Sequence, residues 1–219
     1  SRGLGDVYKR QIQDLLRRGE TYEVCLTNRF VVDLDLDPWV VYQLLRQCNP
    51  APYAAFLQFS TTTILSSSPE CFFRLDASGK ICSEPIKGTR YAGHSLEETA
   101  SIRSDLLANP KEQAELLMIT DLIRTDLAKS CLPGSLQVES MAQVSQYEQI
   151  LHLASVITAQ MPESVRPIDV FCTLFPGGSI TGAPKYRTMQ WIDQLERSAR
   201  GVYTGCIGYF SVNQHTEFN

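Results

Sequence analysis

No apolar run in the 219-residue sequence is long enough to cross a bilayer, which takes about 20 residues, and the start carries no cleavable signal pattern. Histidine is scarce: His94, His152 and His215 lie too far apart in sequence to suggest local metal ligation. The seven cysteines, at 25, 48, 71, 82, 131, 172 and 206, contain no C-x-x-C pair and are odd in number, so neither a zinc site nor a disulfide framework is indicated. Reduced, mostly buried thiols and a cytoplasmic location are the expectation. Basic residues are outnumbered, 20 Lys and Arg against 24 Asp and Glu, and form no cluster; a net charge of −4 argues against a nucleic-acid surface. Internal repeats and low-complexity segments are also lacking. What is present, 43% hydrophobic and 20% charged residues, suits one globular domain with a large core.

Against this ordinary background one stretch stands out, Phe175 to Lys185, reading FPGGSITGAPK. Gly177 and Gly178 allow backbone angles that a side chain forbids, and Ser179 and Thr181 follow them, so a tight, amide-rich turn is expected. Beyond it Met189, Ile192 and Leu195 recur at helical spacing, with Pro184 suited to a first turn. The turn is therefore expected to open a helix and to aim free N–H groups and the positive end of the helix dipole at a carboxylate or phosphate. Gly177 and Gly182 match the start of the nucleotide-binding G-x-x-x-x-G-K-[ST]. Ala183 stands where its lysine is needed and Lys185 comes two residues late, which speaks against a nucleotide. On spacing alone, a turn serving only as a helix cap is the better reading.

The rest of the chain reads as follows. Ser1 to Arg10 has no clear apolar period and is set apart as a non-native leader, with 11–219 as the domain. Ile12 to Arg18 reads as the end of an amphipathic helix, Thr21 to Val32 as an alternating strand, and Pro38 to Cys48 as a helix stopped by Asn49-Pro50. Ala54 to Phe59 and Thr62 to Ser66 make a hairpin, and Cys71 to Leu75 another strand, turned at Asp76–Gly79 towards Ile81. Ser95 with Glu98 forms a capping-box pattern for a helix to Leu107. Lys111 to Lys129 is a second helix, with an apolar stripe through Leu116, Ile119, Leu122 and Ile123 and with Glu112 and Glu115 one turn apart. A short strand Leu136 to Ser140, a short helix over Asp169 to Leu174 and a strand Tyr203 to Phe210 complete the expected elements.

FPGGSITGAPK closely resembles the signature of the chorismate-utilising enzymes, the family that contains anthranilate synthase component I, aminodeoxychorismate synthase component I, and the isochorismate and salicylate synthases. Other stretches agree. GETYEVCLTNRF is similar to the family's G-D/E-x-Y-x-V/L-x-L-x-x-R-F strand, Ser68-Pro69-Glu70 to its S-P-E, and YTGCIGYF to its Y-x-G-x-I/V-G-Y. QAELLMITDLIRTDL resembles A-E-N-L-M-I-V-D-L-x-R-N-D-L, departing at Leu116 and Thr125, and His152 sits in a segment like V-x-H-L-x-S-x-I. The resemblance runs from about Gly19 to about Phe210.

It implies an α+β fold of antiparallel sheets flanked by helices, the architecture of anthranilate synthase component I. It also implies roles that the residue types alone leave bland, since a loop glutamate, a strand-end lysine, a helix carboxylate and a core histidine are each common without function. Glu70 is implied as general acid, with a pKa raised by partial burial, and Glu115 as a Mg²⁺ ligand. Gly88, Thr89, His152, Gly177, Gly178, Ser179, Thr181 and Tyr203 are implied as chorismate contacts. In EPIKGTR the lysine matters most: anthranilate synthases resemble PIAGTR there and aminodeoxychorismate synthases PIKGT, so Lys87 implies a lysine nucleophile and amination of chorismate at C4. The ammonia is then expected from a glutamine amidotransferase, fused or separate. Anthranilate or isochorismate synthesis, and a non-catalytic piece that binds a ligand or partner, are the alternatives. Family members continue through an I-R-T strand, a G-x-G-I-V loop and a helix with a second magnesium glutamate. The chain is accordingly expected to be truncated at its C-terminus, inactive by itself, and to leave a sheet edge open beside Tyr203 to Phe210.

Overall fold

The computed structural model describes the backbone of residues 2–147 and 150–219, with side chains from residue 7 onward. Helix α1 (Arg2–Arg17) reaches a full ten residues further back than the apolar spacing from Ile12 predicts, with Leu15 as its buried anchor. Strand β1 is much shorter than the alternation of Thr21 to Val32 predicts: only Glu23–Val24 form a ladder. Residues 25–37 carry no strand, and Phe30, Val31 and Val32 are 91%, 83% and 68% exposed. Alternation marks a segment able to pair, but a ladder needs a partner backbone, and that backbone is offered only at Glu23 and Val24.

Helix α2 (Pro38–Cys48) has its predicted bounds, with Asp37 accepting from Trp39 N. It lies on the hairpin β2 (Tyr53–Gln58) and β3 (Thr63–Ser68), where Trp39 and Tyr42 pack on Phe56 with ring centroids 5.1 and 5.4 Å away. That hairpin is a two-stranded sheet of its own, paired from Tyr53↔Ser68 to Gln58↔Thr63.

The main sheet begins with β4 (Cys71–Leu75) and β5 (Lys80–Glu84), joined by a turn in which Asp76 Oδ1 accepts from Ser78 N and Lys80 N. Next come β6 (Ile86–Tyr91), α3 (Leu96–Ala108) and α4 (Pro110–Leu127). Ser95 caps α3 by accepting from Glu98 N, while the Glu98 carboxylate returns to His94 N rather than to Ser95 N, a variant of the expected box. Asn109 ends α3 and caps α4 with the same side chain. Strands β7 (Gln137–Tyr147) and β8 (Ile150–Gln160) follow. β7 is eleven residues long instead of the five of Leu136 to Ser140, because two register shifts let it stay on β8 where a regular strand would part from it.

The last elements are α5 (Pro167–Leu174), a 3-10 turn at Gly178–Ile180, β9 (Gly182–Ala183), α6 (Lys185–Leu195), β10 (Gly208–Phe210) and β11 (Thr216–Phe218). All pairings are antiparallel. The order is β10-β11-β4-β5-β8-β6, with β7 also on β8, while β1 and β9 make a separate two-residue ladder. The fold is thus α+β, as expected. Two further local expectations fail. The glycine turn does not run straight into a helix, since Gly182 and Ala183 first pair with Val24 and Glu23, and Pro184 sits at the cap of α6. Tyr203 is in a turn, 60% exposed, and the strand starts only at Gly208, where β11 supplies a partner. β10 is the edge of the sheet, paired among the described residues to β11 alone.

The core explains why α4 is the pivot. Ile119, Ile123 and Leu127 meet Phe73, Leu75, Ile81 and Ile157 of the sheet, while Leu116 turns to Leu106, Leu151 and Leu153. Each such side chain, fully buried, stabilises by about 1.5–3 kcal/mol. One helix thereby fixes the sheet on one side and, through its outer face, the glycine turn beside it.

Candidate active site

β6 makes a bulge where it matters. Ile86 faces Ala154 and Thr89 faces His152, so Lys87 and Gly88 together oppose one residue of β8. Gly88 has φ +77°, and a Cβ there would stand 2.9 Å from Glu112 Oε2 and 3.0 Å from Leu106 Cδ1. The position demands glycine for conformation and for packing. Next to it Lys87 Nζ donates to Glu23 Oε1 at 2.8 Å and approaches the Ser179 carbonyl at 3.4 Å. Both side chains of this ion pair are 14% exposed.

Glu23 is delivered by the β1–β9 ladder, which ties the start of the chain to the glycine-rich segment. Its second oxygen, Oε2, is buried without a hydrogen-bond partner among the described residues, as is Ser179 Oγ. Burial raises the Glu23 pKa above the ordinary range although Lys87 opposes the rise. Glu70, on the link between β3 and β4, is raised for the same reason, against the lowering influence of Ser179, Lys87 and the Ile86 backbone. The Ser179 hydroxyl is thus near Glu70 yet makes no well-formed hydrogen bond to it. Lys87, Glu70, Ser179 and Glu23 come from four separate stretches and form one charged, water-poor corner. A raised carboxyl beside a lysine held by a second carboxylate can donate one proton and accept another.

The other expected residues are distributed around this corner. Glu70, Gly177, Ser179 and Tyr203 line a cleft of about 630 Å³ under the β2–β3 hairpin. Thr89 and His152 line a smaller cavity of about 160 Å³ with Ser67, Pro69 and Tyr147. His152 is 6% exposed, its Nδ1 is 3.0 Å from Thr89 Oγ1, and burial lowers its pKa, so a neutral ring is favoured. Gly178 packs directly on α4, where a Cβ would be 2.6 Å from Leu122 Cδ2, and buried Thr181 donates its hydroxyl to the Gly177 carbonyl at 2.8 Å. Those two shape the turn from behind.

The two α4 glutamates separate in role. Glu112 is buried and bonded to Arg90 Nη2 at 3.1 Å. Glu115 keeps a side chain 32% exposed, paired loosely with Lys111 at 3.4 Å, and its charge reaches Glu23. Among the described residues no cluster of three His, Cys, Asp or Glu gathers. A carboxylate about one-third exposed is a hard oxygen donor of the kind Mg²⁺ takes singly or in pairs, with water and substrate oxygens completing its shell, so Glu115 fits such an ion.

Sequence reading missed Glu23, which looked like one outward residue of an alternating strand. It also missed the bond from Lys185 Nζ to Asp126 Oδ2, joining the last residue of FPGGSITGAPK to the end of α4. Arg200 was missed as well: it holds Glu196 and the carbonyls of Cys25 and Ile180. Only Glu23 had a local signal, a carboxylate two residues before Cys25 on a strand expected to be half buried.

An antiparallel α+β frame with a lysine, a raised carboxyl and a glycine-rich wall at one corner defines a class of enzyme. The chain belongs to the chorismate binding enzyme family, whose model matches residues 8–219. Within that class it is 49% identical over 200 residues to the aminodeoxychorismate synthase of Streptomyces griseus, covering 91% of this chain and 28% of that protein. It is 44% identical over 220 residues to a probable chloroplastic aminodeoxychorismate synthase of Oryza sativa subsp. japonica, covering 98% of this chain and 25% of that one. The chain therefore spans about a quarter of the length of these relatives. Its fold is that of anthranilate synthase component I from Streptococcus pneumoniae TIGR4, with a TM-score of 0.89 and 30% identity over 100% of this chain and 48% of the other.

Proposed function

We propose that this chain forms part of an aminodeoxychorismate synthase, which aminates chorismate at C4 to give 4-amino-4-deoxychorismate, the precursor of p-aminobenzoate and folate. The observation that carries the reading is the burial of Lys87 beside Glu70: an amine and a carboxyl pushed up by burial share one corner. The higher identity to aminodeoxychorismate synthases, 49% and 44%, than to anthranilate synthase component 1 proteins, 38% and 36%, supports it.

In this mechanism Lys87 Nζ attacks C2 of the ring while Glu70, whose carboxyl burial pushes up, gives its proton to the departing C4 hydroxyl. Ammonia then attacks C4 and expels Lys87, so one difficult displacement becomes two easier ones. Thr89, His152, Ser179 and Tyr203 orient the substrate from the two cavities. Glu115 would hold Mg²⁺, which supplies charge neutralisation at a substrate carboxylate. Ammonia comes from a glutamine amidotransferase subunit or domain, and the cytoplasm is the place of action. No helix of the described residues is long and apolar enough to cross a membrane.

The test is product identity. The whole protein, given chorismate, Mg²⁺ and ammonium, is expected to yield 4-amino-4-deoxychorismate by chromatography and mass. Anthranilate or isochorismate as the main product would overturn the assignment.

A further inference from the structure

We propose that Glu23 is the positioning and proton-accepting partner of Lys87, a role that rests on the reading of Lys87 as the nucleophile. An ammonium has no lone pair, so a proton must leave Nζ before it can bond to carbon. Among the described residues, two oxygens lie within hydrogen-bond reach of Nζ: Glu23 Oε1 at 2.8 Å and the Ser179 carbonyl at 3.4 Å. A peptide carbonyl does not keep a proton, and Glu70 must carry one in order to release it to the leaving hydroxyl. Glu23 is left as the acceptor.

Its surroundings suit the task. Lys87 faces it from β6, Glu115 acts on it from α4, Cys25 lies two residues along its own segment, and Ser179 stands on the 3-10 turn; Lys87 in turn feels Glu70 and Cys25. The ion pair is 14% exposed on both sides, and that burial holds Glu23 above the ordinary carboxylate range, which makes it a stronger base than an exposed glutamate. Oε2, buried without a partner among the described residues, makes no bond that would fix the carboxylate in its charged form.

The protons balance. Nζ–H passes to Oε1, the freed pair forms Nζ–C2, the two ring double bonds shift, and the C4–O bond breaks as Glu70 protonates the oxygen, releasing water. Ammonia then bonds to C4, the double bonds shift back, and Nζ–C2 breaks. Glu23 returns its proton to Lys87, and the new C4 ammonium gives one to Glu70. The net change is chorismate plus ammonia to aminodeoxychorismate plus water.

Glu23→Gln in the whole protein keeps the size and the acceptor oxygen but not the basicity. We expect kcat to fall about 100-fold or more with KM for chorismate within about twofold, and the residual rate to climb with pH between about 7 and 9.5 as solvent takes the proton, where the wild-type rate is level. Undiminished kcat, or a loss of stability with the wild-type pH profile in the folded fraction, overturns the role. Lys87→Ala is run beside it: if that variant still turns over, the nucleophile reading itself fails, whereas a dead Lys87→Ala with an unimpaired Glu23→Gln removes only Glu23. Should Glu23→Gln not fold, Glu23→Asp keeps the charge but draws it back by one methylene. A lowered kcat with unchanged KM and wild-type pH profile is expected there, and a full kcat overturns the role.

Discussion

Lys87 of EPIKGTR and Lys185 of FPGGSITGAPK each pair with a carboxylate from elsewhere in the chain, and the two pairs differ in how completely they are satisfied. Lys185 bonds to Asp126 Oδ2 and to the Leu174 carbonyl, while Lys129 takes Asp126 Oδ1 at 2.8 Å, so both oxygens of an 8% exposed carboxylate are used. Lys87 has one good bond, to Glu23 Oε1, and Glu23 Oε2 has none among the described residues. The first pair is a closed clamp between α4 and the glycine-rich segment. The second is open, and burial has already tilted its carboxylate towards holding a proton. Residue type does not distinguish the two pairs; the count of filled oxygen positions does.

The comparison breaks most sharply at turnover. Lys87→Ala is expected to reduce product formation by about 1,000-fold, roughly 4 kcal/mol of transition-state stabilisation, while chorismate and Mg²⁺ affinity stay near wild type. Steady-state kinetics with calorimetry reads both. Equal turnover in that variant would falsify the covalent step.

Lys185→Met is expected to show the opposite behaviour. Removing one partner of a buried pair leaves Asp126 undercompensated at a cost of about 3 kcal/mol, visible as a lower urea midpoint, with kcat of the folded fraction unchanged. If Lys185→Met instead lost kcat without losing stability, the two pairs would not differ in kind.

Glu115→Gln tests the α4 carboxylate whose charge reaches Glu23. Mg²⁺ affinity should fall about tenfold or more and the apparent KM for chorismate should rise, with the melting curve little changed because the side chain is about one-third exposed. Equal Mg²⁺ affinity by titration calorimetry would return Glu115 to the status of a plain helix carboxylate.

The pH dependence sharpens the contrast at the smallest scale. Glu23 has a raised folded pKa, so the stability linked to it is present below the ordinary value near 4.5 and is lost as pH rises through the folded pKa. Lys87→Ala removes the group that opposes that rise, and its stability deficit should be smaller at pH 5 than at pH 8. His152 has a lowered folded pKa, so the folded state binds fewer protons than the unfolded one and stability is lost as pH falls below about 6.5. His152→Gln should flatten stability between pH 7.5 and 5, by chemical denaturation at each pH.

Local order settled a great deal of this protein. Pro38 to Cys48, the hairpin before Ser68, the Asp76–Gly79 turn, the Ser95 cap and the α4 stripe follow from neighbours within a turn or two of helix or strand, where propensity, capping and periodicity act. The motifs around Glu70, Lys87 and Gly177 were legible as strings only through their resemblance to a known family. The tertiary structure alone decided what those strings do to one another. Whether Thr21 to Val32 is a strand of twelve residues or two depends on which backbone lies opposite. So does the start of β10, which waits for β11, and so does the place of Glu23, 64 residues from the lysine it holds. Ladders, buried charges and their desolvation are set by partners distant in the chain, and no pattern within a window of sequence carries that information.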